Sequence, residues 1–218
     1  MFGGNKMNFF PIMLDIDYKK VVIVGGGHVA RQKLQSLLPT KAQIIIVSPS
    51  ITDEIAIYVG QGKVTWKNKQ FEASDLDDAS LIFAVTDQEE VNDAVEQAAQ
   101  HWQLLSRADA KGRVDFINPA VVRRGDLVLT VSTSGASPGL TRKLKDELAE
   151  HYDDTYIDYI EFLKKARREI IQTIQDKHSK RDALASLLDP QLEEWAKEQK
   201  WDKCNAYVQK LVTGAQPI

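Results

Sequence analysis

The sequence predicts an α/β protein: a Rossmann-type parallel sheet, then a small hairpin-plus-helix segment, then a helical C-terminal domain. Three observations carry this reading. Short β-branched runs alternate with helical spacings through the first half, which implies a parallel sheet with right-handed crossovers. The first run, Val21–Val24, stops on Gly25-Gly26-Gly27 and opens a helix. After about residue 112 the alternation gives way to a hairpin and then to helices alone.

Each element follows from local chemistry. Lys19-Lys20 precede the run Val21–Val24, which reads as a strand buried on both faces. Val29, Ala30, Leu34, Leu37 and Leu38 fall at helical spacing, and Pro39 ends it. Ile44–Val47 is a second buried strand, closed by Ser48-Pro49-Ser50; residues 64–67 are a weaker strand and Leu81–Val85 a strong one. Val91, Val95 and Ala98-Ala99 mark a helix, and Leu104-Leu105 starts a further strand. Residues 119–124 and Leu127–Val131 pair across Gly125-Asp126 as a hairpin. Pro138 suits the first turn of a helix whose core face is expected at Leu140, Leu144 and Leu148. Beyond Asp154, Tyr156, Ile160, Leu163, Ile170 and Ile174 keep a helical period, and Asp189-Pro190 reads as an N-cap with proline at the first helical position. The expected divisions are a dinucleotide-binding domain over 1–113, a dimerisation segment over 114–150 and a helical domain over 151–218.

Composition removes several function classes. The 218 residues are 43% hydrophobic and 27% charged, with a formal charge of −3. That balance leaves no electrostatic footprint for nucleic acid. No apolar run is long enough to span a membrane, and residues 1–8 lack the apolar core of a signal peptide, so a cytoplasmic protein is expected. The single cysteine, Cys204, can neither close an internal disulfide nor begin a cysteine-based metal site. His28, His101, His151 and His178 show no metal-ligand spacing, and no metal is expected.

Gly25, Gly27 and Ala30 fit G-x-G-x-x-A between a strand and a helix, the context in which that pattern means dinucleotide binding. The first glycine makes the turn, the second admits a pyrophosphate to the backbone, and the alanine lets helix and sheet pack closely. Gly26, His28 and Val29 complete the turn; His28 is either a phosphate contact or a solvated first-turn residue. An NAD site normally carries Asp or Glu at the end of the second strand, where this chain has Ser48-Pro49. Ser48 can bond a ribose hydroxyl without discriminating charge. Lys41 and Lys67 remain candidates for a 2′-phosphate, so the residues alone leave NAD against NADP open. The overall reading is a dinucleotide-dependent dehydrogenase.

Several segments together resemble the precorrin-2 dehydrogenase family, the sirohydrochlorin-forming module of sirohaem biosynthesis. They are Pro11-Ile12-Met13-Leu14-Asp15-Ile16; the glycine turn with Arg31 and Lys33; Ala84-Val85-Thr86-Asp87 with Asn92; and Asp115-Phe116-Ile117-Asn118-Pro119-Ala120, leading through Arg124-Gly125-Asp126-Leu127 to residues 132–138, with Arg142 and Leu144 beyond. Their order and spacing agree over residues 11–150. The methyltransferase module fused to this one in some sirohaem synthases does not fit in 218 residues, so the resemblance implies the stand-alone form.

The resemblance implies oxidation of precorrin-2 to sirohydrochlorin with NAD as hydride acceptor, in a homodimer built on the middle segment. Counting back from Asp115-Phe116 puts the family's functional aspartate at Asp109, at the carboxyl end of the fifth strand, as a general base or as a solvated loop carboxylate. Thr86 and Asp87, closing the fourth strand, take the role of contacts to the nicotinamide half, or simply end the strand. Ser132, Ser134 and Ser137 precede a helix N-terminus that either attracts a substrate carboxylate or is capped by them, and Arg124 is a further candidate for the polycarboxylate. The chain departs from the family at Ser106, where asparagine is common, and at Ala110, where a second acid is common; Arg107 is also unusual, and pairing with a substrate carboxylate is one use for it. Three alternatives stand beside this reading: a sirohydrochlorin ferrochelatase, a non-catalytic NAD(H)-sensing module, and a dehydrogenase of another small substrate, which the absence of a Lys, His or Tyr at a recognisable hydride-transfer position weakens.

Overall fold

A computed structural model describes residues 9–109 and 111–214. Residues 1–8, which lack the apolar core of a signal peptide, and Ala110, the second departure from the family pattern, lie outside the described residues. The chain divides into two compact units, Met1–Asn118 and Pro119–Ile218.

The first unit is a five-stranded parallel sheet in the order β3-β2-β1-β4-β5. Its strands are β1 (Lys20–Val24), β2 (Gln43–Val47), β3 (Thr65–Lys67), β4 (Ala79–Ala84) and β5 (Leu104–Arg107). Helices α1 (His28–Leu37), α2 (Asp53–Gly60) and α3 (Glu89–Ala98) connect them, with a 3₁₀ turn at Ala73–Leu76. The sheet is apolar on both faces because both are covered. Val21 and Ile23 pack with Leu34 of α1, Ile55 of α2 and Phe83 of β4. Val22 and Val24 pack with Ile82, Leu105 and Val95 of α3 on the other face. The strand order reverses between β1 and β4, which puts the binding crevice of an open α/β sheet at their carboxyl ends.

Beyond β5 the chain folds back along that strand. The Asp115 amide donates to the Leu105 carbonyl, and the Leu105 amide donates to Asp115 Oδ2, both at 2.8 Å. Phe116 then meets Phe83 edge-on, with centroids 5.3 Å apart.

The second unit holds the antiparallel hairpin β6 (Ala120–Arg124) and β7 (Leu127–Val131), then α4 (Pro138–His151) and α5–α8 (Thr155–Thr173, Lys177–Ser186, Pro190–Lys197, Trp201–Thr213). Its core gathers Tyr156, Ile170, Leu187, Leu192, Cys204 and Val208. Asp189 caps α7 by accepting the Gln191 amide, as the Asp-Pro pair implied. The expected core face of α4 differs. No residue of α4 is buried, and Leu140 and Leu144 are 46% and 37% exposed. Periodicity marks which residues share a face, whereas the covering of that face depends on what the rest of the fold brings to it.

Candidate active site

The glycine turn is shaped by steric demands from two sides. Gly25 has φ +125°, and a Cβ there would sit 2.8 Å from the Val85 carbonyl oxygen, so only glycine fits. A Cβ on Gly26 would overlap the Ser50 carbonyl, and the Gly26 carbonyl accepts the Thr52 amide at 3.0 Å. Gly27, the N-cap of α1, faces open space: nothing lies within 4 Å of where its Cβ would be. No side chain caps α1, and its first turn carries no acid. The result is an uncapped, positively polarised helix start behind a cradle open to the outside, which fits a pyrophosphate.

Around this turn, Ala30 is fully buried against the sheet while His28 and Val29 are exposed. His28 Nδ1 lies 3.3 Å from Arg31 Nη2, and its Nε2 lies 2.9 Å from the Gln32 amide nitrogen. At the tip of β2, Ser48 is buried and Pro49 exposed. The Ser48 amide donates to the Lys67 carbonyl at 3.3 Å, and its carbonyl accepts Trp66 Nε1 at 2.9 Å. Both lysines considered for a 2′-phosphate are engaged elsewhere. Lys67 pairs with the buried Asp75 at 2.8 Å, joined there by Lys69 at 3.1 Å, and the Lys41 ammonium lies over the Tyr18 ring.

The second part of the site lies at the carboxyl ends of β4 and β5. There a cavity of about 300 Å³ is lined by Thr86, Asp87, Glu89, Asn92, Ala108, Asp109 and Lys111. Asn92, buried on α3, ties the lining together. Its Oδ1 accepts from the Thr86 amide and hydroxyl at 3.3 and 3.1 Å. Its Nδ2 donates to the Thr86 carbonyl and to Asp109 Oδ2 at 3.1 and 3.2 Å. Asp87 is exposed.

Asp109 is gripped from behind by Arg107: Nε donates to Oδ1 at 3.0 Å and Nη2 to Oδ2 at 2.8 Å. The Lys111 amide adds a longer bond to Oδ1 at 3.3 Å. The guanidinium, helped by these amides, holds the Asp109 carboxyl down at about 2 despite partial burial. Arg107 also meets Asp93 and Glu96 of α3, and its own acidity is pushed still further out of reach. Four of its five N–H donors are taken by protein carboxylates, which leaves one Nη2 hydrogen and no free bidentate fork for a substrate carboxylate. Ser106, the first departure, is buried within β5 opposite Phe83.

The remaining candidates lie in the second unit. Ser137 caps α4 by accepting the Leu140 amide. Ser132 Oγ accepts the Ser134 amide at 3.1 Å in the turn before it; both serines are exposed, and Ser134 has φ +50°. Arg124 is committed to structure: Nη2 donates to the Ala149 carbonyl at 3.1 Å and Nε meets Asp154 at 3.1 Å.

Comparison with known proteins gives this geometry its relatives. A family model described as putative NAD(P)-binding matches residues 12–120, and one described as the central part of a sirohaem biosynthesis protein matches residues 124–151. A precorrin-2 dehydrogenase of Priestia megaterium is 32% identical over 182 residues, covering 84% of this chain and 90% of that protein. The chain belongs to the precorrin-2 dehydrogenase family. A second family member, from Bacillus subtilis, is 32% identical over 72% of this chain and 98% of its own length. The solved structure titled SirC, precorrin-2 dehydrogenase, superposes with a TM-score of 0.79 at 30% identity, covering 93% of this chain and 98% of that one. Siroheme synthases match more locally: that of Actinobacillus pleuropneumoniae is 36% identical over 143 residues, and this chain spans 29% of its length.

Within the family frame, sequence reasoning missed the residues behind Asp109. In the sequence Asn92 stands out only as part of the family pattern, although a buried amide on α3 needs partners. Asp93 and Glu96 gave no signal, being acids on a helix in a chain with 31 of them.

Proposed function

We propose that this chain oxidises precorrin-2 to sirohydrochlorin with NAD⁺, within sirohaem biosynthesis. The observation that carries the reading is Asp109, fixed as a carboxylate beside a cavity at the ends of β4 and β5, next to the open glycine turn at the end of β1. The family relationship supports the substrate. When NAD⁺ is bound, it supplies the hydride acceptor.

The chain's own residues have three tasks. The first is binding: the amides of Gly27, His28, Val29 and Ala30 hold the pyrophosphate behind Gly25 and Gly26, Ser48 and Pro49 flank the adenosine ribose, and Thr86 and Asp87 bound the nicotinamide half. Lys67 and Lys69 are balanced by Asp75 and Glu72, and that neutral cluster supports NAD over NADP. The second is charge: hydride transfer to NAD⁺ leaves positive charge on the tetrapyrrole, which the ionised Asp109 stabilises as it develops, and the oxidised ring then releases its protons to solvent, because a carboxyl held at about 2 is too weak a base to keep them. The third is to meet the polycarboxylate substrate, for which exposed Ser132 and Ser134 are the remaining candidates. Ser137 and Arg124 are better explained by the cap and the ion pair they already make.

We further propose a homodimer assembled through residues 114–150, ahead of a helical domain over 151–218, because α4 buries nothing and exposes Leu140 and Leu144. A buried lone thiol is compatible with the reducing cytoplasm, where we place the reaction.

Anaerobic incubation of the protein with precorrin-2 and either NAD⁺ or NADP⁺, following tetrapyrrole and reduced-nicotinamide absorbance together, tests the function. Coupled rises with NAD⁺ are expected. NAD⁺ binding without either rise would sink the dehydrogenase reading and favour a chelatase or a sensor.

A further inference from the structure

Arg107 closes β5 with only 3% of its side chain exposed. Its donors split between two sides. Nε and Nη2 face Asp109, while Nη1 reaches Asp93 Oδ1 at 2.8 Å and Glu96 Oε2 at 2.6 Å on α3. A guanidinium is a rigid plane, so a helix that fixes one edge also fixes the direction of the other. The packing leaves little freedom: a Cβ at Gly112 would lie 2.7 Å from Arg107 Nη1 and would overlap the Glu96 carboxylate. Arg107 itself does not line the cavity, whereas Asp109 does.

We propose that Arg107 is a positioning residue for the oxidation argued above: anchored on α3 by Asp93 and Glu96, it holds both oxygens of Asp109 in one orientation at the cavity. The inference rests on the dehydrogenase reading of the site.

The charged neighbours define what removing it would do. Facing the Arg107–Asp109 pair are Asp93 and Glu96 from α3, with the Glu96 carboxylate also accepting the Arg113 amide at 3.1 Å. Asp87, beyond β4, and Glu89, at the start of α3, share the cavity lining with Lys111, whose ammonium is tied to Glu89 at 2.6 Å. Without the guanidinium, Asp109 stands among carboxylates with its amide donors and one preoccupied lysine. Its proton affinity then rises, and its two oxygens lose their fixed direction.

The test compares wild type, Arg107→Gln and Arg107→Lys by two readouts. Carbon-detected NMR titration of side-chain carboxyls in the protein without ligands reads Asp109 directly. Anaerobic precorrin-2 oxidation against pH reads its use. In Arg107→Gln the Asp109 titration is expected to move up from about 2 into or above the ordinary carboxylate range. Its kcat is expected to fall on the order of 10²-fold, as misplacement of a reacting group does. The NAD⁺ dissociation constant should change by less than about twofold, since uniform binding is untouched. Arg107→Lys keeps a cation among the carboxylates and loses the fork, so its titration stays low and its kcat falls by an intermediate factor; it also carries both readouts if the glutamine variant does not fold. An unmoved Asp109 titration in Arg107→Gln, or wild-type kcat in both variants, overturns the proposal. A wild type that does not oxidise precorrin-2 refutes the underlying reading instead, and the titration still decides whether Arg107 governs Asp109.

Discussion

At Asp109 the identity of the partner decides what kind of chemistry the side chain performs. A carboxyl held at about 2 is a weak base at neutral pH, but its negative charge is constant. Asp109→Asn keeps the shape and removes that charge, so kcat/KM for precorrin-2 should fall by roughly 10²-fold or more while NAD⁺ still binds, as steady-state rates and a cofactor titration would show. The wild-type pH profile should then show no limb from this group between about pH 7 and pH 4. The same pair contributes to stability with a definite sign. The folded carboxyl lies below its unfolded value, so the stabilisation is complete above about pH 4 and disappears as pH falls toward 2; urea unfolding at stepped acid pH should show wild type losing this increment and Asp109→Asn having none to lose. Asp109 was legible in the sequence because its distance from Asp115-Phe116 could be counted. Its grip was not, since Arg107, Asp93 and Glu96 meet only after β5 is laid beside β4 and α3 crosses over them.

Among the elements, β1, β2 and β4 were readable as continuous apolar runs, and the glycine turn as their punctuation. The turn's geometry supports a direct forecast. Gly25→Ala combines φ +125° with a Cβ against the Val85 carbonyl, and should cost about 1–3 kcal/mol in chemical denaturation together with a loss of NAD⁺ affinity. Helix α2 and the 3₁₀ turn are not legible in the sequence. Residues 55–59 of α2 are apolar at consecutive positions rather than at helical spacing, and the turn is set by polar contacts around Asp75. One such polar device joins β4 and β5. Buried Gln103 donates to the Leu76 and Ala79 carbonyls at 2.7 and 2.9 Å and accepts the Gln100 amide at 2.8 Å. Gln103→Leu strands those groups, and a loss of roughly 1–3 kcal/mol is expected by urea melt, with the far-ultraviolet spectrum unchanged. The face of α4 was legible as a stripe but not as a surface, because its three leucines have the same spacing whether a core or a second chain covers them.

For the whole molecule, the order of sheet, hairpin and helices could be read from the sequence, but the separation into two cores could not, since periodicity is local and a core is a property of contacts across the chain. Sedimentation should give twice the chain mass for wild type. Leu140→Lys combined with Leu144→Lys should return it to one chain mass with the helical content preserved, and a monomeric wild type would end the homodimer proposal. The second core also carries its own clock. Cys204 is the single cysteine of the chain and is fully buried, and burial pushes its thiol up, away from the reactive thiolate. A disulfide reagent can therefore modify native protein only as fast as the helical unit opens, so the time course of labelling measures that opening without any mutation. Repeating the time course with saturating NAD⁺ asks a question about communication: slower labelling would mean that a ligand held by the sheet makes the helices breathe less, and an unchanged rate would mean that the two units keep separate time.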